Sequence, residues 1–324
     1  MSPLIHLPWL GLLALGAAVL TTRAASAAPL RDGNEFPLWP GDAPGSARVT
    51  ITETVEDRST DPKKPDRAVH GIRVPTLTAF LPKQPNGASL IIAPGGGYVR
   101  EVIDKEGSEV GAWFAERGVT VFVLKYRLPG EGHEHASWVP LQDAQRAVRV
   151  VRGQAASWQL DPARIGFLGF SAGGHVAASL GTEFARKVYE PLDASDALSA
   201  RPDFLLLLYP VVSMQDPIAH QSSKHALLGA HPSAADSALH SCELHVQSAS
   251  PPTFLALADD DHSVLPENSL RYYQALKRAQ VRAELHVYLH GGHGFALRGP
   301  PEEASRHWAE QAFQWLVGIG VVAR

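Results

Sequence analysis

Short, nearly continuous apolar runs recur along the chain, and most are followed by a stretch whose apolar residues return every three or four positions. "ASLIIAP" (88–94) is an apolar run, and "EGSEVGAWFAERG" (106–118) has the helical spacing. "VTVFVLKYRL" (119–128) precedes the helical "PLQDAQRAVRVVRGQAASW" (140–158), and "RIGFLGF" (164–170) feeds a helix beginning at Ser171. "DFLLLLYPVV" (203–212), "TFLALAD" (253–259) and "AELHVYL" (283–289) are further strands, with helices expected over 267–280 and 302–317. Strands that are apolar throughout are buried on both faces, as in parallel sheets covered by helices. The pattern predicts an α/β fold, a mostly parallel central sheet with helices on both faces, joined by right-handed crossovers.

The N-terminal part reads differently. Residues 28–48, rich in Pro, Gly and Ala, form an extended lead-in, and "VTITETVE" (49–56) alternates like a half-buried strand. "DRSTDPKKPDR" (57–67) is a charged, proline-broken loop. "VHGIRVPTLTAFLP" (69–82) is again a strand, with Pro75 at an edge or bend. These features divide the chain into a lead-in with a first strand over 28–68 and one main domain over 69–324, without an internal repeat. Residues 213–252, rich in His, Ser and Pro, are the main irregular insertion, of the kind that shapes a cleft.

Composition is that of an ordinary globular chain, 45% hydrophobic and 19% charged, with a net charge of -4. The basic residues are scattered, which gives no footing for a nucleic-acid or anionic-membrane partner. The single cysteine, Cys242, excludes an intramolecular disulfide. From Ser2 to Thr22 there is no charged side chain, Leu4–Leu20 is mostly apolar, and Ala25-Ser26-Ala27 has the small-x-small pattern. Residues 1–27 therefore read as a secretory signal peptide cut near Ala27. The mature chain is expected in the periplasm or outside the cell, without stable membrane association. A retained N-terminal anchor is the alternative.

Candidate chemistry centres on "GFSAGGH" (169–175), where Ser171 sits in Gly-x-Ser-x-Gly between a strand and a helix. That context lifts a serine hydroxyl above the sheet on a tight turn, with helix N-terminal amides beside any developing anion. A serine needs a base, and the base an orienting acid. His293 in "YLHGGHGF" (288–295) is the candidate base, ahead of His290, which is expected to face the sheet. Asp259, Asp260 and Asp261 follow the strand "TFLALA" and are the candidate acids. "IAPGGGYV" (92–99) offers backbone donors without obstructing side chains, so Gly96, Gly97 and Ala172 are expected to form an oxyanion hole. Tyr98 and Trp138 are candidate platforms for a sugar or phenolic ring, whereas Trp158 is expected in the core. Asp143 is expected to brace a loop and His175 to support packing. His133 and His135 lack a third ligand nearby and are expected on an exposed cleft loop. No metal or cofactor is expected, and the oligomeric state stays open.

"APGGGY", "LKYRLP", "PLQDAQRAVRVVR", "LGFSAGGH", "PPTFLALADDD", "ENSLRYYQALKRAQV" and "GGHGF" together resemble the α/β-hydrolase-fold serine esterases, in particular the bacterial carbohydrate-esterase-like group with acetyl xylan and feruloyl esterases. The resemblance runs from about residue 88 to 316. It implies an α/β-hydrolase catalytic domain and ester hydrolysis through an acyl-enzyme on Ser171, with His293 as base and Asp261 as acid. It also implies a carbohydrate or small-molecule ester as substrate, with acetyl or feruloyl groups removed from plant-type polysaccharides or oligosaccharides. Pro94 stands where a His is common in the group, and Leu265 where a Pro is usual. A serine peptidase or small-ester carboxylesterase of the same fold is the alternative. A non-catalytic binding protein would typically have lost one of the three side chains.

Overall fold

The chain is described by a computed structural model covering residues 29–323, so the expected signal peptide lies outside the described residues. Strands β1 (Glu35–Pro37), β2 (Thr54–Asp57), β3 (Arg67–His70), β4 (Thr76–Phe80) and β5 (Ser89–Ala93) come first. β6 (Glu101–Val102), β7 (Thr120–Lys125), β8 (Ile165–Phe170), β9 (Phe204–Leu208), β10 (Thr253–Ala258) and β11 (Ala283–Tyr288) follow. The helices are α1 (Glu109–Ala115), α2 (Val139–Gln154), α3 (Ser171–Glu183), α4 (Gln221–Leu228), α5 (Ala234–Leu239), α6 (Glu267–Arg278) and α7 (Trp308–Gly318).

The main sheet has the order β1-β4-β7-β5-β8-β9-β10-β11. β7 through β11 in that order run parallel, while β4 and β1 are antiparallel at the near edge. Alternation along each strand explains why both faces are apolar. Ile91, Phe167, Leu205 and Leu255 join a core with α2, α3 and α6 residues such as Val148, Val176 and Leu276. Their neighbours Leu90, Leu168, Leu206 and Phe254 join a second core with Phe114 of α1 and Trp308 of α7. Burying each such side chain contributes about 1.5–3 kcal/mol, so the two cores explain why continuous apolar runs are required. This is the α/β-hydrolase arrangement, with helices on both faces.

Several short elements depart from the sequence reading. The lead-in supplies a strand, β1, whose Phe36 lies opposite Leu77 of β4. The alternating 49–56 segment is strand only over Thr54–Asp57 and is exposed throughout, because β2 pairs with β3 in a separate three-stranded sheet with β6. The expected 69–82 strand is broken at Gly71, whose φ of 74° turns the chain between the two sheets. The insertion is not irregular throughout, since it contains α4 and α5. A π-helical turn at Asp104–Ser108 precedes α1, an irregularity common near functional sites.

Candidate active site

Ser171 occupies the turn from β8 into α3 with φ 49°, a left-handed conformation that non-glycine residues rarely adopt. The turn is possible because its neighbours are glycines. A Cβ on Gly169 would lie 2.1 Å from the Gly173 carbonyl oxygen, and one on Gly173 2.2 Å from that of Ala93. The Ser171 Oγ is 2.8 Å from Nε2 of His293. On the other side of that ring, Nδ1 is 2.7 Å from Oδ2 of Asp261.

Asp261 is 1% exposed. Its Oδ1 accepts from the amides of Ser263 and Val264, each at 2.9 Å, which fixes the carboxylate. An acceptor at Nδ1 requires Nδ1–H, leaving Nε2 as the acceptor for the serine hydroxyl. Asp260 has another partner. Its Oδ1 accepts from the Gly292 amide at 2.8 Å, and that bond holds its carboxyl below the ordinary value. His290 contacts Asp260 at 3.3 Å and is largely exposed rather than turned to the sheet. β11 has a neighbour on one side only, so residues just past its end face water.

Gly96 and Gly97 line the same cleft as Ser171 and His293, a space of about 350 Å³. The Ala172 amide lies in the first turn of α3, where amides have no intrahelical acceptor. Gly95 approaches so closely that a Cβ there would stand 2.9 Å from that of Ser171. The loop is held by groups the sequence reading missed. Glu106, in the π-helical turn, accepts from the Gly95 amide at 2.8 Å and from the Tyr209 hydroxyl at 2.9 Å. Tyr209 in turn packs edge-on against the His293 ring, 5.1 Å between centroids. His220 and Ser222, from the insertion, also line the cleft. Burial first, and then the neighbouring His293, hold His220 below the ordinary imidazole value.

Tyr98 and Trp138 are not brought to this cleft. Tyr98 is 2% exposed, and both rings border a separate pocket of about 20 Å³, too small for a sugar ring, with His175 and His240. The Tyr98 hydroxyl lies 2.7 Å from His175 Nδ1, and His175 Nε2 lies 2.7 Å from the His240 carbonyl. The carbonyl can only accept, so Nε2 carries the proton and Nδ1 accepts from the tyrosine. His133 is buried against Ser46 Oγ at 2.9 Å, not on an exposed loop. Trp158 packs on Phe36 and Phe122. Asp143 braces: fully buried, it takes a bidentate contact from Arg127 and a bond from the Trp39 indole at 2.8 Å. Among the described residues, no group of three or more His, Cys, Asp or Glu side chains is placed to hold a metal ion.

A parallel sheet with a serine on its strained turn, and a histidine and a carboxylate reaching that serine from later strands, is the arrangement that defines the α/β-hydrolase class. Residues 77–276 match the family model described as BD-FAE, and the chain belongs to that family. It is 32% identical over 225 residues to an acetylxylan esterase of Xylanibacter ruminicola, covering 68% of this chain and 44% of that protein. It is also 32% identical to endo-1,4-beta-xylanase B of Butyrivibrio fibrisolvens, covering 69% of this chain and 35% of that one. The chain thus spans less than half the length of these two relatives. Among solved structures, an acetyl ester-xyloside bifunctional hydrolase from Caldicellulosiruptor lactoaceticus superposes with a TM-score of 0.75 at 35% identity, covering 92% of this chain and all of that one.

Proposed function

We propose that the protein is an exported serine esterase that removes acetyl or feruloyl-type groups from plant-type polysaccharides or oligosaccharides through an acyl-enzyme on Ser171. The observation that carries the reading is the unbroken chain of contacts from Ser171 Oγ through both nitrogens of His293 to Asp261. In this reading His293 takes the serine proton as Oγ attacks the ester carbonyl. The amides of Gly96, Gly97 and Ala172 stabilise the oxyanion, supplying charge stabilisation that the ground-state carbonyl does not need. His293 then protonates the departing sugar oxygen, which leaves as a hydroxyl, and water, activated by the same ring, releases the acid. Asp261 holds the tautomer and balances the imidazolium.

The substrate assignment is supported by the acetylxylan esterase among the relatives and by the acetyl ester-xyloside hydrolase among the structures. Export is supported by the uncharged apolar run and Ala25-Ser26-Ala27. The decisive experiment is release of acetate from acetylated xylan and of 4-nitrophenol from 4-nitrophenyl acetate by wild type and Ser171→Ala. Turnover is expected to vanish in the variant while its circular dichroism spectrum is unchanged, and wild type is expected to be labelled at Ser171 by a phosphonate. Near-normal activity in Ser171→Ala would overturn the reading.

A further inference from the structure

We infer that the cleft at Ser171 selects esters that carry a carboxylate near the scissile bond, with Arg100 and Lys105 as the residues that bind it. The inference rests on the esterase reading above. Three cationic side chains, Arg58, Arg100 and Lys105, line the space that holds Ser171 and His293. Arg58 is already committed, with its guanidinium 2.6 Å from Asp66. The other two form no ion pair with a carboxylate among the described residues.

Arg100 Nε is buried and has no acceptor on the protein, a costly state for a charged donor. The Arg100 backbone lies close against the glycine loop, where a Cβ on Gly96 would be 2.1 Å from its carbonyl oxygen. Lys105 Nζ reaches only the carbonyl of Gly294, at 3.3 Å, directly beside His293. The one carboxylate among the cleft's described lining residues, Glu106, turns its two oxygens to Gly95 and Tyr209. What is left is a guanidinium and an ammonium among the residues that line the space with Ser171, and a carboxylate is the anion that a guanidinium matches. The carboxylate could sit on the sugar, as a uronic acid, or on the acyl group, as the free end of a dicarboxylic hemiester.

The test is a ratio of kcat/KM values, charged over neutral, measured in two arms at low salt. The sugar arm pairs monoacetylated methyl glucuronide with monoacetylated methyl xyloside, and the acyl arm pairs monoethyl glutarate with ethyl valerate. We expect wild type to favour the charged member about tenfold in one arm, the size of one charge-assisted hydrogen bond, and the preference to shrink as salt screens it. The arm that responds identifies the source. Arg100→Met and Lys105→Met are each expected to collapse the ratio, with Arg100→Lys retaining part of it, whereas a purely structural role would lower both members equally. A wild-type ratio near one in both arms, or an equal loss on both members in the variants, would overturn the inference. Hydrolysis of neutral 4-nitrophenyl acetate by the same preparations reports on the esterase reading separately.

Discussion

Three consecutive aspartates leave β10, and only one of them reaches the imidazole. Asp261 is buried against His293, while Asp260 is spent on the Gly292 amide of the same loop. Asp261→Asn is therefore expected to lower kcat by about 10⁴, the cost of the wrong tautomer, with Asp260→Asn much milder. Stopped assays on 4-nitrophenyl acetate check this, and the opposite ranking would mean that the loop is read one residue out of register. Ser171 and His293 were legible because their flanking glycines and strand contexts leave a mark in the sequence. Glu106, Arg100 and Lys105 were not, because a buried carboxylate or an unpaired cation acquires its meaning only from groups distant in the chain. The aromatic residues misled for the opposite reason: Tyr98 resembles a binding platform in sequence, but its hydroxyl is tied inward to His175.

At the scale of elements, α3 does more than present Ser171. Its His175 connects Tyr98, which ends the glycine loop, to the carbonyl of His240 after α5. Burial pushes His175 down to about 4, and burial with the neighbouring His175 does the same to His240. Both folded values lie below the unfolded one near 6.5, so the folded state binds fewer protons between these limits. Stability should then be complete above about pH 6.5 and fall as pH drops toward 4, by on the order of 3 kcal/mol for His175 alone. Urea unfolding at pH 7 and pH 4.5 measures it, and an unchanged midpoint would refute the burial of a neutral ring. The central strands were legible as apolar runs because both their faces are covered. β1 has three residues, too few for a periodic signature, and β2 is wholly exposed, so the alternation over 49–56 overstates both its length and its burial. α4 and α5, of eight and six residues, are too short for periodicity to stand out.

For the molecule as a whole, the Arg127–Asp143 pair ties the lead-in to the sheet. Arg127 also donates to the Pro44 carbonyl and to Ser46, and Asp143 accepts from Trp39, so residues 39–46 are fastened to α2 and to the chain just after β7. Asp143→Ala strands a fully buried guanidinium and is expected to destabilise by about 3–5 kcal/mol, read as a lower denaturant midpoint. A loss below 1 kcal/mol would show that the lead-in is held by other contacts. The order in which the site's parts occur along the chain has a consequence in time. Ser171 and His293 stand 122 positions apart, and the base follows the outermost strand. Its loop is closed by α7, where the Trp308 indole donates to the Ala296 carbonyl at 2.7 Å and its ring meets Phe170, the residue before the nucleophile. A chain made from its N-terminus thus contains the serine turn long before it contains the candidate base. On the proposed chemistry, hydrolytic competence would arrive only once α7 closes the loop after β11, and an unfinished chain would not attack esters.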